Sequence, residues 1–309
     1  MKIAFLKIYI FLILTVIPMK AANSEVFIVA KINQEIITNI DVNFEKRYLV
    51  SLNPNLKKLD QDRIIEYAKN SLINERIKKI EIEKKFKILP NETLLSKVIG
   101  DIYSSIGISS LTEFENYLLQ NDVDIQRVKE KISIEIAWND LIVKTFASEI
   151  EIDQNAISKE IEKFDEKKVN NLLLSEIIFT INDKKELELK YEAIKESINE
   201  IGFEETARIY SLSDSKKSGG NLGWIYKNQL SKEIKDELNN IKIGDFTKPI
   251  ITSGGFLILK LNNIKTENIK IDKDTHLKKM IEFEKERQFT RFSTLYYKRI
   301  YNNAEINEK

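Results

Sequence analysis

The chain contains no cysteine and a single histidine, which removes much of the common side-chain chemistry at the outset. Without cysteine there can be no disulfide, no thiolate metal ligand, no thiol nucleophile and no lipid-bearing cysteine of the lipoprotein kind. His276 stands among Lys273, Asp274, Lys278 and Lys279, cannot supply a multi-histidine metal cluster, and is expected on the surface. Neither a metal nor any other cofactor is expected. The segment best suited to build a site is Gly219-Gly220-Asn221-Leu222-Gly223-Trp224. Glycines serve turns that need positive φ. A phosphate cradle is excluded, because no G-K-S/T follows and no G-x-G-x-x-G lies between a strand and a helix.

Such a segment must be positioned by the elements around it. From about Val169 the pattern is a dense apolar run, Leu172 to Phe179, that reads as a strand. Leu187, Tyr191, Ile194, Ile198 and Ile201 then repeat at helical spacing, and Phe203, Ala207 and Tyr210 continue as helix after Gly202. Past the glycines come a short helix through Ile234, Leu238 and Ile241, a turn at Gly244 and a strand from Phe256 to Leu261. This order predicts a compact α+β domain with a small sheet.

Upstream, Val26 to Ile32 and Glu35 to Thr38 are short strands joined by a polar turn at Asn33-Gln34. A helical region begins near Ile40, with Ile73, Ile77 and Ile80 on one face of a helix from about Asp60 to Lys85. Pro90 breaks it and Asn91 can cap the next helix, which carries Leu95, Val98 and Ile102. Ser110 and Glu113 have capping-box spacing ahead of Phe114 and Leu118. Ile125, Val128, Ile132 and Ile136 form a further stripe toward Phe146. Downstream, Phe289, Phe292, Tyr296 and Ile300 make a long amphipathic helix. It is expected to pack back onto the N-terminal helices, since an exposed aromatic stripe favours aggregation; dimerisation through it is the competing arrangement.

Lysine plus arginine number 49 against 48 for aspartate plus glutamate, so charge singles out no nucleic-acid partner. At the N-terminus, Lys2 and Lys7 precede the apolar run Ile8 to Ile17, ended by Pro18 before Ala21 and Ala22. This reads as a cleavable export signal over residues 1–22, although Lys20 makes the site imperfect. The alternative is an inner-membrane anchor over residues 3–19, and that run is shorter than the ~20 residues that span a bilayer.

The run Phe203 to Ser211, with Phe203, Ala207 and Ser211 at the F-x-x-x-A-x-x-x-S positions, and then Gly219 to Trp224, resembles parvulin-type prolyl isomerases. Asn221 replaces the usual aspartate of G-G-D-L-G-W. Ile243 to Ile250 and Gly255 to Leu261 resemble the family's closing turn and strand. The hairpin Val29 to Thr38, the run Leu72 to Arg76 and the final helix are similar to SurA-type periplasmic chaperones, with one parvulin domain instead of two. The resemblance implies a mostly helical N-terminal chaperone domain over residues 23–165, a parvulin-type domain over 166–265 with a small antiparallel sheet, and a C-terminal helix over 266–309 that completes the chaperone domain.

By the same resemblance, Leu222, Leu230 and Ile234 line a proline pocket, with Ile234 in place of a common phenylalanine, and Trp224 is a core or platform residue beside it. The family's two histidines correspond to Glu176 and Leu257. Ser213, or Asp214 if the loop slips by one, occupies the catalytic-loop position, and Thr252 matches a nearby threonine or serine. Ordinary turn chemistry is the alternative for Ser213, Asp214 and Thr252. Lost histidines imply weak isomerisation or proline-independent peptide binding. The implied partners are unfolded outer-membrane protein segments, proline-containing peptides and the outer-membrane assembly machinery, in the periplasm. A chain that is chiefly an active isomerase, or a membrane-anchored isomerase of the PpiD type, remains the alternative.

Overall fold

In the computed structural model, residues 25–162, 169–181, 183, 185–267 and 273–309 are described. The export segment, the boundary at 165/166 and the side chain of His276 lie outside the described residues. The N-terminal region opens with β1 (Ile28–Ile32) and β2 (Glu35–Thr38), joined by a turn in which Asn33 takes a positive φ of 52°. Helices α1 (Asn39–Leu52), α2 (Gln61–Glu83), α3 (Glu92–Ser105), α4 (Leu111–Gln120), α5 (Ile125–Phe146) and α6 (Gln154–Glu162) follow.

Local chemistry sets several of these ends. Thr38 and Asp41 form a reciprocal capping box at the start of α1. Asn91 accepts from the Leu94 N–H at 3.1 Å, as its position predicts. At α4 the expected box is only half made: Ser110 Oγ accepts from the Glu113 N–H, but the Glu113 carboxylate turns to the Ser109 N–H.

The parvulin-like region contains β3 (Val169–Phe179), α7 (Glu186–Ile201), α8 (Phe203–Tyr210), β4 (Asn221–Tyr226), α9 (Lys232–Asn239), β5 (Ile250–Thr252) and β6 (Gly255–Glu267). Its antiparallel sheet has the order β4-β3-β6-β5. Side chains alternate between its faces. Leu172, Leu174, Leu257, Leu259 and Leu261 point to one side, and Ile177, Phe179 and Ile258 to the other, where α7 and α8 cover them. The fold is α+β.

Chain order then returns to the helical region. The 30-residue α10 (Lys273–Asn302), about 45 Å long at 1.5 Å per residue, lays Tyr296 and Tyr297 against Trp138 of α5, which is 1 % exposed. Trp138 Nε1 donates to Ser293 Oγ at 2.9 Å, so the indole buries its apolar body without stranding its N–H. Phe292 stacks on Phe146 at 4.8 Å. Finally β7 (Ile306–Glu308), which no hydrophobic pattern announced, pairs with β1 and gives a second sheet of order β2-β1-β7.

The two regions are joined by an apolar cluster in which Leu56, Leu59, Ile64 and Tyr67 meet Ile201, Ile209 and Tyr210. Arg63 Nη1 donates to Glu200 Oε1 at 2.7 Å at its edge. Among the described residues no helix is long and apolar enough to cross a membrane.

Candidate functional site

The pocket face of the sheet holds the residues the sequence singled out. Glu176 on β3 lies opposite Leu259 of β6, and the neighbouring pair is Ile178 with Leu257. Glu176 and Leu257 therefore share that face on adjacent strands, one diagonal step apart. Leu230 is buried and Leu222 and Ile234 are half-buried in the same apolar cluster. Ile234 sits in the first turn of α9, where Ser231 Oγ accepts its N–H at 3.4 Å.

Leu222 reaches this face through a bulge. Leu174 pairs with Gly223 and Ser175 with Asn221, leaving Leu222 as the extra residue of β4. Trp224 pairs with Leu173 and so falls on the opposite face, where it is 48 % exposed. It is neither a core residue nor a neighbour of the cup, and the register of β4 is the reason. Thr252 lies at the end of β5 on the side of Ile250. Its hydroxyl accepts from the Gly254 N–H and donates to the Gly255 carbonyl, closing the β5–β6 turn.

The loop after α8 is laced along β3. The Leu212 N–H donates to the Ile178 carbonyl at 2.7 Å, the Ile178 N–H to Ser211 Oγ at 3.0 Å, and the Glu176 N–H to the Gly220 carbonyl at 2.8 Å. This brings two serine hydroxyls onto one carboxyl oxygen. Ser213 Oγ donates to Glu176 Oε1 at 2.5 Å and Ser215 Oγ to the same atom at 2.9 Å. Glu176 is buried, and burial pushes its carboxyl above the usual carboxylate range, with the Asp214 charge adding to the rise and the serine hydrogen bonds opposing it.

Of the two loop candidates, Ser213 faces the cup. Asp214 faces α5, where the Asn139 side-chain amide, oriented by its surroundings, donates to both carboxylate oxygens at 2.9 and 2.8 Å. Ser215 escaped the sequence reading, although the alternation Ser211, Ser213, Ser215 was its available signal. Asn139 carried none, being 75 residues away from Asp214 in the chain. Phe283 of α10 packs against the apolar cluster of the cup, a contact that no local pattern encodes.

This arrangement is suited to binding and ill suited to covalent attack. The Ser213 and Ser215 hydroxyls both donate to one oxygen of the Glu176 carboxyl group, which burial drives toward its neutral form and so makes a poor acceptor for their protons. An apolar recess with a small polar floor fits a reaction that breaks no bond, such as rotation about an X-Pro amide, whose barrier of ~18–20 kcal/mol falls when the twisted amide is held apart from water.

The small antiparallel sheet, its bulged glycine strand and the loop that closes on it belong to a parvulin-type domain, set in a chain that is similar to SurA and PrsA proteins. Residues 172–263 match the Rotamase family, the PPIC-type PPIase domain. The chaperone SurA of Pseudomonas aeruginosa is 22 % identical over 231 residues, covering 69 % of this chain and 54 % of that one. Foldase protein PrsA of Staphylococcus aureus is 24 % identical over 266 residues, covering 84 % and 78 %. A solved SurA-like chaperone structure from Campylobacter jejuni, of the PEB4 and Cj1289 pair, is 15 % identical over 91 % of this chain and 98 % of that one, with a TM-score of 0.36. The chain spans about half the length of the SurA chaperones it matches over most of its own length.

Proposed function

We propose that the protein is a periplasmic folding chaperone that holds extended, aromatic-rich segments of unfolded outer-membrane proteins, and that its parvulin-type domain isomerises prolyl bonds weakly. The observation that carries this reading is the cup itself: apolar walls at Leu222, Leu230 and Ile234 are retained, while its polar floor is the serine-bracketed Glu176 with Leu257 beside it. The likeness to SurA and PrsA proteins supports the chaperone part. In this reading residues 23–165 and 266–309 form one chaperone module, residues 166–265 are the isomerase domain, and residues 1–22 direct export and are removed.

A protease-coupled proline-peptide assay should show modest acceleration by the wild-type chain, reduced further in Leu222→Ala and Leu230→Ala. Acceleration typical of a fast isomerase would make the chain chiefly an enzyme. An unfolded β-barrel protein should aggregate less in the presence of the chain, and the absence of any effect would end the chaperone reading. The mass of the exported chain distinguishes cleavage near Ala22 from a retained anchor.

A further inference from the structure

The loop that supplies the floor of the cup has two faces. Ser211 Oγ accepts from the Ile178 N–H at 3.0 Å, and Ser213 and Ser215 donate to Glu176 at 2.5 and 2.9 Å, so the odd-numbered side chains turn toward β3. The even-numbered ones turn toward the helical frame. Leu212 packs against the frame's apolar core, the Asn139 amide donates to both carboxylate oxygens of Asp214 at 2.9 and 2.8 Å, and Lys216 Nζ lies 3.9 Å from Glu135 Oε1. The loop is therefore a strap between cup and frame.

Glu135 and Asn139 stand four residues apart on α5 and share one face of that helix. Glu135 is itself anchored by Lys78 Nζ at 2.7 Å. The strap has little stiffness of its own. Asp214–Ser218 is a single short 3-10 stretch, a form with weaker hydrogen-bond geometry than the α-helix. Within the strap Asp214 is met by Lys217 Nζ at 3.7 Å, a half-exposed ion pair that contributes little. The two bonds from Asn139 reach a charged acceptor and are of the stronger kind. They fix the residue that lies between the two serines, so a shift of Asp214 would carry both hydroxyls away from the one oxygen they share.

We propose that Asn139 and Glu135 of α5 are positioning residues for prolyl isomerisation: acting through Asp214 and Lys216, they hold Ser213 and Ser215 on Glu176 and so set the polar floor of the cup from outside the parvulin-type domain. The inference rests on the isomerase part of the proposed function and makes the frame part of that site. Among the described residues no side chain of α5 belongs to the apolar cluster of Leu222, Leu230 and Ile234. Binding of the proline ring and rotation of its amide should therefore separate when α5 is changed.

The test uses the full mature chain and a phenylalanyl-proline tetrapeptide followed by NMR exchange spectroscopy, which gives the peptide Kd and the cis–trans rate at saturation separately. Asn139→Ala should lower that rate about tenfold with Kd unchanged, the effect of a floor misplaced by less than about 1 Å. Asn139→Asp should lower it as well, by setting two carboxylates against each other. Combining Asn139→Asp with Asp214→Asn rebuilds the amide–carboxylate pair in reverse and should restore most of the rate. Asp140→Ala, on the exposed side of α5 where Asp140 pairs with Lys144, should leave it unchanged. Backbone amide exchange over residues 211–220 should quicken about tenfold in Asn139→Ala. Unfolding midpoints are taken alongside, and if Asn139→Ala does not fold, Asp214→Ala makes the same test from the strap.

An unchanged rate in Asn139→Ala, unchanged amide exchange in the strap, or a folded reversed pair that restores nothing overturns the assignment. Lowered stability with an unchanged rate makes Asn139 a docking contact alone. In those cases the isomerase reading stands on the activity of the wild type. A wild-type chain that does not accelerate the cis–trans exchange fails the isomerase reading and this inference together.

Discussion

Glu176 shows how one side chain sets the character of a site. A carboxyl buried on an apolar sheet face prefers its neutral form, so the folded chain holds this proton more tightly than the unfolded chain does. The contribution to stability is then full below the unfolded carboxylate pKa and is lost as pH rises through the raised folded value. Glu176→Gln keeps an oxygen for the Ser213 and Ser215 hydroxyls and removes the ionisation. It should make the chain more stable than wild type at pH 8, with the difference vanishing as pH falls below the ordinary carboxylate range; urea unfolding at each pH measures it. Gly220 is the neighbouring constraint. Its φ is +79° and a Cβ there would come 2.2 Å from the Glu176 carbonyl oxygen. Gly220→Ala should therefore lower stability by ~3 kcal/mol or more, since strain and a backbone clash add, and a shift in the midpoint of thermal unfolding reads this directly.

Among the elements, α10 has the longest reach. Its aromatic stripe completes the core that α2 and α5 begin, through Phe292 on Phe146 and Tyr296 beside Trp138. Tyr296 Oη also donates to Glu81 Oε1 at 2.5 Å, which ties α10 to α2. Phe292 is half-buried, so Phe292→Ala should cost about 2 kcal/mol, less than the 3–5 of a fully buried phenylalanine. Guanidinium denaturation should show that loss at any protein concentration. A midpoint that moves with concentration would mean instead that the stripe joins two chains.

At the scale of the molecule, the parvulin-type domain and the helical frame meet through charge as well as apolar surface. Glu135 of α5 lies 2.7 Å from Lys78 and 3.9 Å from Lys216 of the loop that carries Ser213. Burial, with Lys78 close by, lowers the Lys216 pKa to about 8, against a partial offset from Glu135. Here the unfolded chain binds the proton more tightly. The Lys216 contribution is therefore fully present above the unfolded value of 10.5 and is lost as pH falls toward about 8. Wild-type stability should carry a component on the order of 2 kcal/mol that rises across this window, and Lys216→Met should flatten it. Chemical denaturation between pH 7.5 and 10.5 tests both.

Much of this architecture was legible in local spacing. The apolar stripes of α2, α3, α5, α7 and α10, the cap at Asn91 and the glycine segment are written in residues a few positions apart, which is the range over which helix faces and turns are decided. The short α6 and β7 lacked such a signal; β7 exists because β1 offers it a partner edge nearly the whole chain away. Side-chain destinations were less legible still. A one-residue bulge sends Leu222 to the cup and Trp224 to the far face, because strand period is two and any slip exchanges the faces. The meeting of Glu176 with Ser213 and Ser215, the turn of Asp214 toward Asn139 and the packing of Phe283 on the cup are contacts between separate elements. Apart from α6 and β7, sequence alone determined which segments fold as helix, strand and turn and which family they resemble. Which side chains share a site was decided only when burial brought distant elements together and each polar group found, or failed to find, a partner there.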